Sequence, residues 1–274
     1  MKRSKINIDF RQPHVMAILN VTPDSFYKNS RTFSTEEIKL RVNQIVSQGA
    51  TIIDIGGYSS RPGADHITAQ QEWERVERGI SVVRELAADM PISIDTFRSE
   101  VAQKAINKFG ALIINDISAG EIDPELISVA AKYKVPYIAM HMRGTPQTMQ
   151  QNTSYCNITE EVTSYFKAKI AQLKDAGVEE IIIDPGFGFA KELDQNYELI
   201  SNLGDLRGLG CPILVGVSRK SMIYNLLNVS SNDALTGTIA LNWEALRQGA
   251  SIIRVHDVRE AVETMKIFKK ISKL

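Results

Sequence analysis

Gly110-Ala111-Leu112-Ile113-Ile114-Asn115 reads as a helix stop, then an apolar run, then one polar side chain. Glycine is the residue type that ends a helix in a left-handed turn. Leu112, Ile113 and Ile114 suit a short strand covered on both faces. The same order recurs in Gly49-Ala50-Thr51-Ile52-Ile53-Asp54 and Gly249-Ala250-Ser251-Ile252-Ile253-Arg254. It recurs once more, with two extra residues, from Gly177 to Ile182-Ile183-Asp184. Four separate segments therefore predict a helix end, a buried strand and a polar strand terminus.

Outward from these segments, the intervals fill with amphipathic helices. Ser34-Thr35-Glu36-Glu37 is a capping box ahead of an apolar face of Ile38, Val42, Ile45 and Val46. Trp73, Val76, Ile80 and Val83 share a second face, with Trp73 and Trp243 both expected in the core. Further helices are predicted around 101–109, after Asp123-Pro124, over 158–173, at 197–203, through most of 218–248 and from 258 onward. Strands are predicted at 15–20, 51–55, 92–95, 112–115, 135–140, 180–184, 212–217 and 251–255. Such alternation implies parallel strands with right-handed crossovers, and this number of units fits a (β/α)8 TIM barrel of α/β class. The chain reads as one domain over 1–274, with 1–14 an extension before the first strand. No Gly-x-Gly-x-x-Gly follows the first strand and no Walker A loop is present, which argues against dinucleotide and P-loop sites.

The 274 residues carry 32 basic and 32 acidic side chains, with 43% hydrophobic residues. That balance argues against bulk binding to nucleic acid or a membrane surface. The basic N-terminus has no apolar signal core behind it, and no apolar run reaches membrane-spanning length. Cys156 and Cys211 lack metal-ligand spacing and read as free thiols in a cytoplasmic protein; Cys211 has no nearby base and is not a candidate nucleophile.

In a barrel of this kind, alternate strands send side chains to one interior layer. Asp54, Asn115, Asp184 and Arg254, on the even strands, are thus expected to converge at the C-terminal mouth. Asn20 and Asp95 end odd strands at a comparable level, and His256 shares the strand parity of Arg254. Any single polar strand end is more often a loop anchor than a ligand. Six at one mouth require a polar ligand, a metal or cations as partners. A purely structural ion network through Arg254, Lys220 and His256 is the competing explanation.

Asp184 and Asn115 form an acceptor-rich edge suited to an amino-pyrimidinone. Arg254, His256 and Asn20 form an anion corner, and an asparagine oxygen can also ligate Mg²⁺ beside a pyrophosphate. Gly216-Val217-Ser218-Arg219-Lys220-Ser221 leads from a strand into a helix N-terminus, a place for phosphate or carboxylate, or simply a solvated helix start. In Asp184-Pro185-Gly186-Phe187-Gly188-Phe189, two glycines permit close backbone approach and two phenylalanines offer flat apolar surface. His14 and His66 read as surface residues. His141 reads as a packing or substrate-contacting residue without an evident partner.

Ile18-Leu19-Asn20-Val21-Thr22-Pro23-Asp24-Ser25-Phe26, Ser60-Arg61-Pro62-Gly63, the Asp184–Phe189 segment, Ser218-Arg219-Lys220-Ser221 and Arg254-Val255-His256-Asp257 resemble the signature segments of bacterial dihydropteroate synthases. The match runs in order over nearly the whole chain. The resemblance implies a sulfonamide-target TIM barrel that joins p-aminobenzoate to 6-hydroxymethyl-7,8-dihydropterin pyrophosphate. It implies Asp95, Asn115, Asp184, Lys220 and Arg254 on the pterin, and Asn20, Arg254 and His256 on the pyrophosphate with Mg²⁺ at Asn20. Asp95, Lys220, Arg254 and His256 are the implied catalytic set. Phe26, Ser60, Arg61, Pro62, Phe189 and Ser221 are implied on the p-aminobenzoate side, with loops 21–31 and 57–63 closing over it. A homodimer is implied by the family alone.

Two departures stand out. The family usually continues its first motif as Phe-Ser-Asp-Gly-Gly, where this chain has Phe26-Tyr27-Lys28-Asn29-Ser30-Arg31. Lys28 and Arg31 would bring cations near the pyrophosphate instead. In the second loop Ser60 replaces the usual threonine and keeps the hydroxyl. A pterin-dependent methyltransferase on the same barrel would not need the pyrophosphate corner, and a binding-only pterin protein would not need Asn20, Lys220 or Ser60-Arg61.

Overall fold

Gly49, Gly110, Gly177 and Gly249 all adopt left-handed backbone, at φ 90°, 89°, 90° and 101°. Each ends the helix before an even strand, which is why a residue without Cβ stands there. The structure, a computed structural model, describes residues 6, 8–22, 34–59 and 66–273. Strands β1 (His14–Asn20), β2 (Ile52–Gly56), β3 (Ile92–Asp95), β4 (Ile113–Asp116), β5 (Tyr137–Met140), β6 (Ile181–Asp184), β7 (Leu214–Val215) and β8 (Ile252–Val255) form one parallel sheet. Its order is β6-β5-β4-β3-β2-β1-β8-β7, and an Ile183–Ile213 bridge joins the two ends. The result is a nearly closed TIM barrel.

Helices α1 (Thr35–Ser47), α2 (Ala69–Leu86), α3 (Ser99–Phe109), α4 (Glu125–Tyr133), α5 (Ile158–Asp175), α6 (Leu193–Ser201), α7 (Ser221–Leu227), α8 (Leu235–Arg247) and α9 (Val258–Ser272) lie outside the sheet. The capping box at Ser34 is formed, with the Ser34 side chain on Glu37 N and Glu37 returning to the Ser34 backbone. Ile38, Val42 and Ile45 are buried as their spacing requires. The outward side chains of the strands, Ile53, Ile55, Ile92, Ile114, Ile183 and Ile253 among them, pack with those helix faces in the main core. Burying one such side chain contributes about 1.5–3 kcal/mol.

The inward side chains build the site's floor. Met16, Ile52, Ile113, Ile138, Ile182, Leu214 and Ile252 form one buried interior layer. Two residues further along the same strands stand Asp54, Asn115, Asp184 and Arg254, on the same side by strand alternation. An apolar floor under a polar ring is thus a period-two consequence of the repeated segments. Ile6, Ile8 and Phe10, ahead of β1, pack against the floor from the other end.

Some sequence expectations need correction. The stretch 218–248 is two helices, because Asn228 turns left-handed at φ 54° and ends α7. β7 is shorter than 212–217, spanning Leu214–Val215. Trp73 is buried, but Trp243 is half-buried, edge-on to Phe268 at 5.9 Å. His14 is no free surface residue: it opens β1, with Nδ1 3.2 Å from Thr51 Oγ1 and Nε2 3.1 Å from the Asp9 carbonyl. Among the described residues no helix is long and apolar enough to cross a membrane.

Candidate active site

Strand register sets the level of the mouth. Asn20 pairs with Gly56, Gly56 with Asp95, and Asp95 with Asn115. Gly56 keeps this row open: a Cβ there would lie 3.3 Å from Asn20 Oδ1 and 3.8 Å from Asp95 Oδ2. Asp54 sits one interior step below, and Arg254 reaches across from β8 to both carboxylates. Its Nε donates to Asp54 Oδ2 and its Nη2 to Asp95 Oδ2, each at 2.7 Å. Asn115 Nδ2 donates to the same Asp54 oxygen at 3.1 Å. Asp54 is fully buried, and its Oδ1 has no partner among the described residues.

These contacts set the protonation states. Burial pushes Asp95 up to about 7, with Arg254 opposing and Asp54 adding to the rise. Burial also works against the Arg254 charge, but Asp54 and Asp95 outweigh it and hold the guanidinium above the ordinary arginine value. Arg254 is thus shared between two carboxylates. Asp184 is raised by burial, with Lys220 opposing. It accepts from Gly186 N on Oδ1 at 2.8 Å, and Asp184 Oδ2 and Asn115 Oδ1 have no hydrogen-bond partner among the described residues.

Lys220, the N-cap residue of α7, sends Nζ to the Phe187 carbonyl and over the Phe189 ring, 4.7 Å from its centroid. Burial lowers it to about 8, with Asp184 opposing. Ser221 is the first residue of α7. His256 has Nδ1 3.0 Å from Ser218 Oγ, and its Nε2 has no hydrogen-bond partner among the described residues. Burial, and then Arg254, lower it to about 4, so it enters neutral-pH chemistry as an uncharged imidazole. Arg41 of α1 fixes the His256 carbonyl at 2.7 Å, and Arg219 pairs through two nitrogens with Asp257 at 2.8 Å.

The structure thus brings together Asn20, Asp95, Asn115, Asp184, Lys220, Arg254 and His256, with Phe189 and Ser221 at one side. Phe26, Ser60, Arg61 and Pro62 lie outside the described residues, as do Lys28 and Arg31. Sequence reasoning missed Arg41, whose position on α1 carries no signal of a contact 215 residues away. His141 does have a partner: it is buried, with Nδ1 3.0 Å from the buried Lys191 Nζ. Exposed His66 stands edge-on to Tyr58, with ring centroids 6.1 Å apart.

No group of three His, Cys, Asp or Glu suited to a metal occurs among the described residues. The donor set nevertheless offers one hard oxygen, Asn20 Oδ1, of the kind that would suit a Mg²⁺. The missing Cβ at Gly56, which would crowd that oxygen at 3.3 Å, supports the fit.

Comparison with known proteins identifies the family. The family model described as pterin binding enzyme matches residues 16–256. The dihydropteroate synthase of Escherichia coli K12 is 44% identical over 265 residues, covering 95% of this chain and 92% of that protein. The chain belongs to the dihydropteroate synthase family. Among solved members, the Yersinia pestis enzyme in a sulfonamide drug complex superposes with a TM-score of 0.91 at 38% identity, covering 100% of this chain and 99% of the other. The Xanthomonas albilineans synthase with 4-aminobenzoic acid gives 0.88 at 33% identity, covering 97% and 95%.

Within this synthase fold, Arg254 is the charge that makes Asp54 tolerable. Arg254→Ala leaves a fully buried carboxylate unpaired, and a loss of about 3–5 kcal/mol in chemical denaturation is expected. A loss under about 1 kcal/mol, the range of an exposed pair, would contradict a structural share for Arg254.

Proposed function

We propose that the chain condenses p-aminobenzoate with 6-hydroxymethyl-7,8-dihydropterin pyrophosphate, giving 7,8-dihydropteroate and pyrophosphate. The observation that carries the reading is one mouth holding the acceptors Asp184 and Asn115, the Asp54–Arg254–Asp95 bridge and Lys220 together. The pterin's ring N–H and amine face Asp184 and Asn115, an edge that offers acceptors only for a fork of donors. Lys220 and Arg254 stand near the opposite, carbonyl-bearing side.

A bound metal is part of this reading. Asp54, Asp95 and Asp184 face Arg254 and Lys220, and His256 is neutral, so this ring carries no positive excess for a pyrophosphate. Asn20 Oδ1 would hold Mg²⁺ at the pyrophosphate end. When bound, Mg²⁺ supplies the positive charge that stabilises departing pyrophosphate. His256 contributes a neutral hydrogen bond through Nε2.

The aryl amine is a weak nucleophile, so the burden falls on breaking the methylene–oxygen bond. Asp95 stabilises positive charge spreading into the pterin as that bond opens. The C–N bond then forms and the amine gives up one proton, without a covalent enzyme intermediate. Phe189 and the α7 start at Ser221, with Phe26, Ser60, Arg61 and Pro62 of the two loops, take the p-aminobenzoate side and exclude water. The active unit is a homodimer, and exposed Leu226, Leu227 and Val229 offer apolar surface for it. The unpaired cysteines fit the cytoplasm. A particle of one chain mass in light scattering would contradict the dimer, and export of the chain would contradict the compartment.

With both substrates and Mg²⁺, pyrophosphate release that requires p-aminobenzoate is expected, and chelation should abolish it. Ligand binding without release would favour a binding-only protein. Asp95→Asn should lower kcat by about 100-fold while p-aminobenzoate KM stays within about threefold; near-normal turnover would contradict the dissociative route. The Lys220 ammonium is expected to be lost as pH rises through about 8, so pterin affinity falls above that pH. Lys220→Arg should move that limb upward, and an unmoved limb would assign it elsewhere. The stability sign is opposite: between about 8 and 10.5 the unfolded lysine binds more proton, so Lys220 adds stability as pH rises there.

A further inference from the structure

Lys191 is a buried ammonium at 4% exposure, and no carboxylate of the described residues forms an ion pair with it. It stands in the loop between β6 and α6, just past the segment that faces the mouth. Its Nζ lies 3.0 Å from the Gly186 carbonyl, 2.9 Å from the Phe189 carbonyl and 3.0 Å from His141 Nδ1. The His141 carbonyl stands further off at 3.5 Å, so the ammonium's three donors meet three close acceptors and a fourth, longer one. Burial, and then the Lys191 and Arg143 charges, lower His141 to about 2, so its Nδ1 is free to accept. Burial also draws Lys191 down to about 7, with Asp184 opposing and Lys220 and Arg143 adding to the fall.

The loop that Lys191 spans is contorted. Gly186, Ala190 and Gly188 have φ 70°, 50° and 79°, and Ala190 holds the left-handed region without glycine's freedom. A Cβ at Gly186 would meet the His141 carbonyl at 2.1 Å, so the loop lies directly on the end of β5. Such a backbone persists only where its surroundings over-determine it. Asn196 takes Gly188 N at 2.7 Å and Tyr155 donates to the Ala190 carbonyl at 3.0 Å, while Lys191 turns the Gly186 and Phe189 carbonyls inward. What the loop presents to the mouth is the Phe187 carbonyl under Lys220 Nζ, the Phe189 ring beside it, and Gly186 N on Asp184.

We propose that Lys191, seated on the neutral His141 ring, is a positioning residue that fixes the Asp184–Ala190 loop so that Lys220 and Phe189 meet both substrates. Neither Lys191 nor His141 touches a reacting atom. The proposal rests on the synthase reading for its substrates, but the loop's geometry is read equally well by pterin binding alone.

The test compares Lys191→Met, which keeps the stem and removes the donors, with His141→Leu, which removes the acceptor, and His141→Asn, which keeps an acceptor near Nδ1. Fluorescence titration with 6-hydroxymethyl-7,8-dihydropterin and steady-state pyrophosphate release are both measured. Lys191→Met and His141→Leu should each weaken pterin binding and raise p-aminobenzoate KM by about tenfold, with kcat within about threefold. His141→Asn should stay within about threefold of the unmodified protein in both. A merely structural role would scale kcat with the folded fraction and leave both affinities unchanged, and that result overturns the proposal. Equal losses in His141→Asn and His141→Leu also overturn it. If Lys191→Met does not fold, the two His141 variants decide alone. If the unmodified protein releases no pyrophosphate, the activity reading fails, and the titration still decides the loop.

Discussion

Arg254 bridging Asp54 and Asp95 is the contact on which the rest of the mouth depends. A carboxylate buried at the level of Asp54 is costly unless a cation shares its oxygens. Arg254 supplies that cation from β8, across the barrel from β3, and so ties the two sides of the strand ring together. It also sets the local electrostatics. With Arg254 shared between two carboxylates and His256 uncharged, the mouth is rich in hydrogen-bonding groups.

Rigidity and adaptation are divided between strands and loops. The ring residues stand on strands over an apolar floor of isoleucines, methionine and leucine, which gives them little freedom to shift. The β6–α6 loop is held as firmly by other means, through left-handed backbone and a buried lysine. In the proposed reaction these surfaces would orient the pterin's edge and face. A positioned methylene with a stabilised leaving group would then need only the second substrate's amine in line.

The barrel and most of its polar ring were legible in the sequence because both follow from a period of two. Ile52 to Asp54, Ile113 to Asn115, Ile182 to Asp184 and Ile252 to Arg254 are each one interior step, so floor and ring come from the same repeat. Which ring members pair was not legible, since that depends on side-chain reach across the barrel, as in the contacts of Arg254 with Asp54 and Asp95. Lys191 was hidden for a related reason. In sequence it follows a loop as an ordinary surface lysine would, and only the left-handed Ala190 folds it back under that loop. Arg41 on α1 and the break at Asn228 likewise depend on tertiary contacts and a backbone turn that spacing does not encode.

The most direct measurement is a crystal structure with 6-hydroxymethyl-7,8-dihydropterin pyrophosphate and Mg²⁺ bound. The expected result has the pterin's ring N–H and amine on Asp184 and Asn115, Arg254 still bridging Asp54 and Asp95, and the pyrophosphate at Asn20 and the free nitrogen of His256. A pterin seated away from Asp184 and Asn115, or an Arg254 released from both carboxylates, would contradict the account.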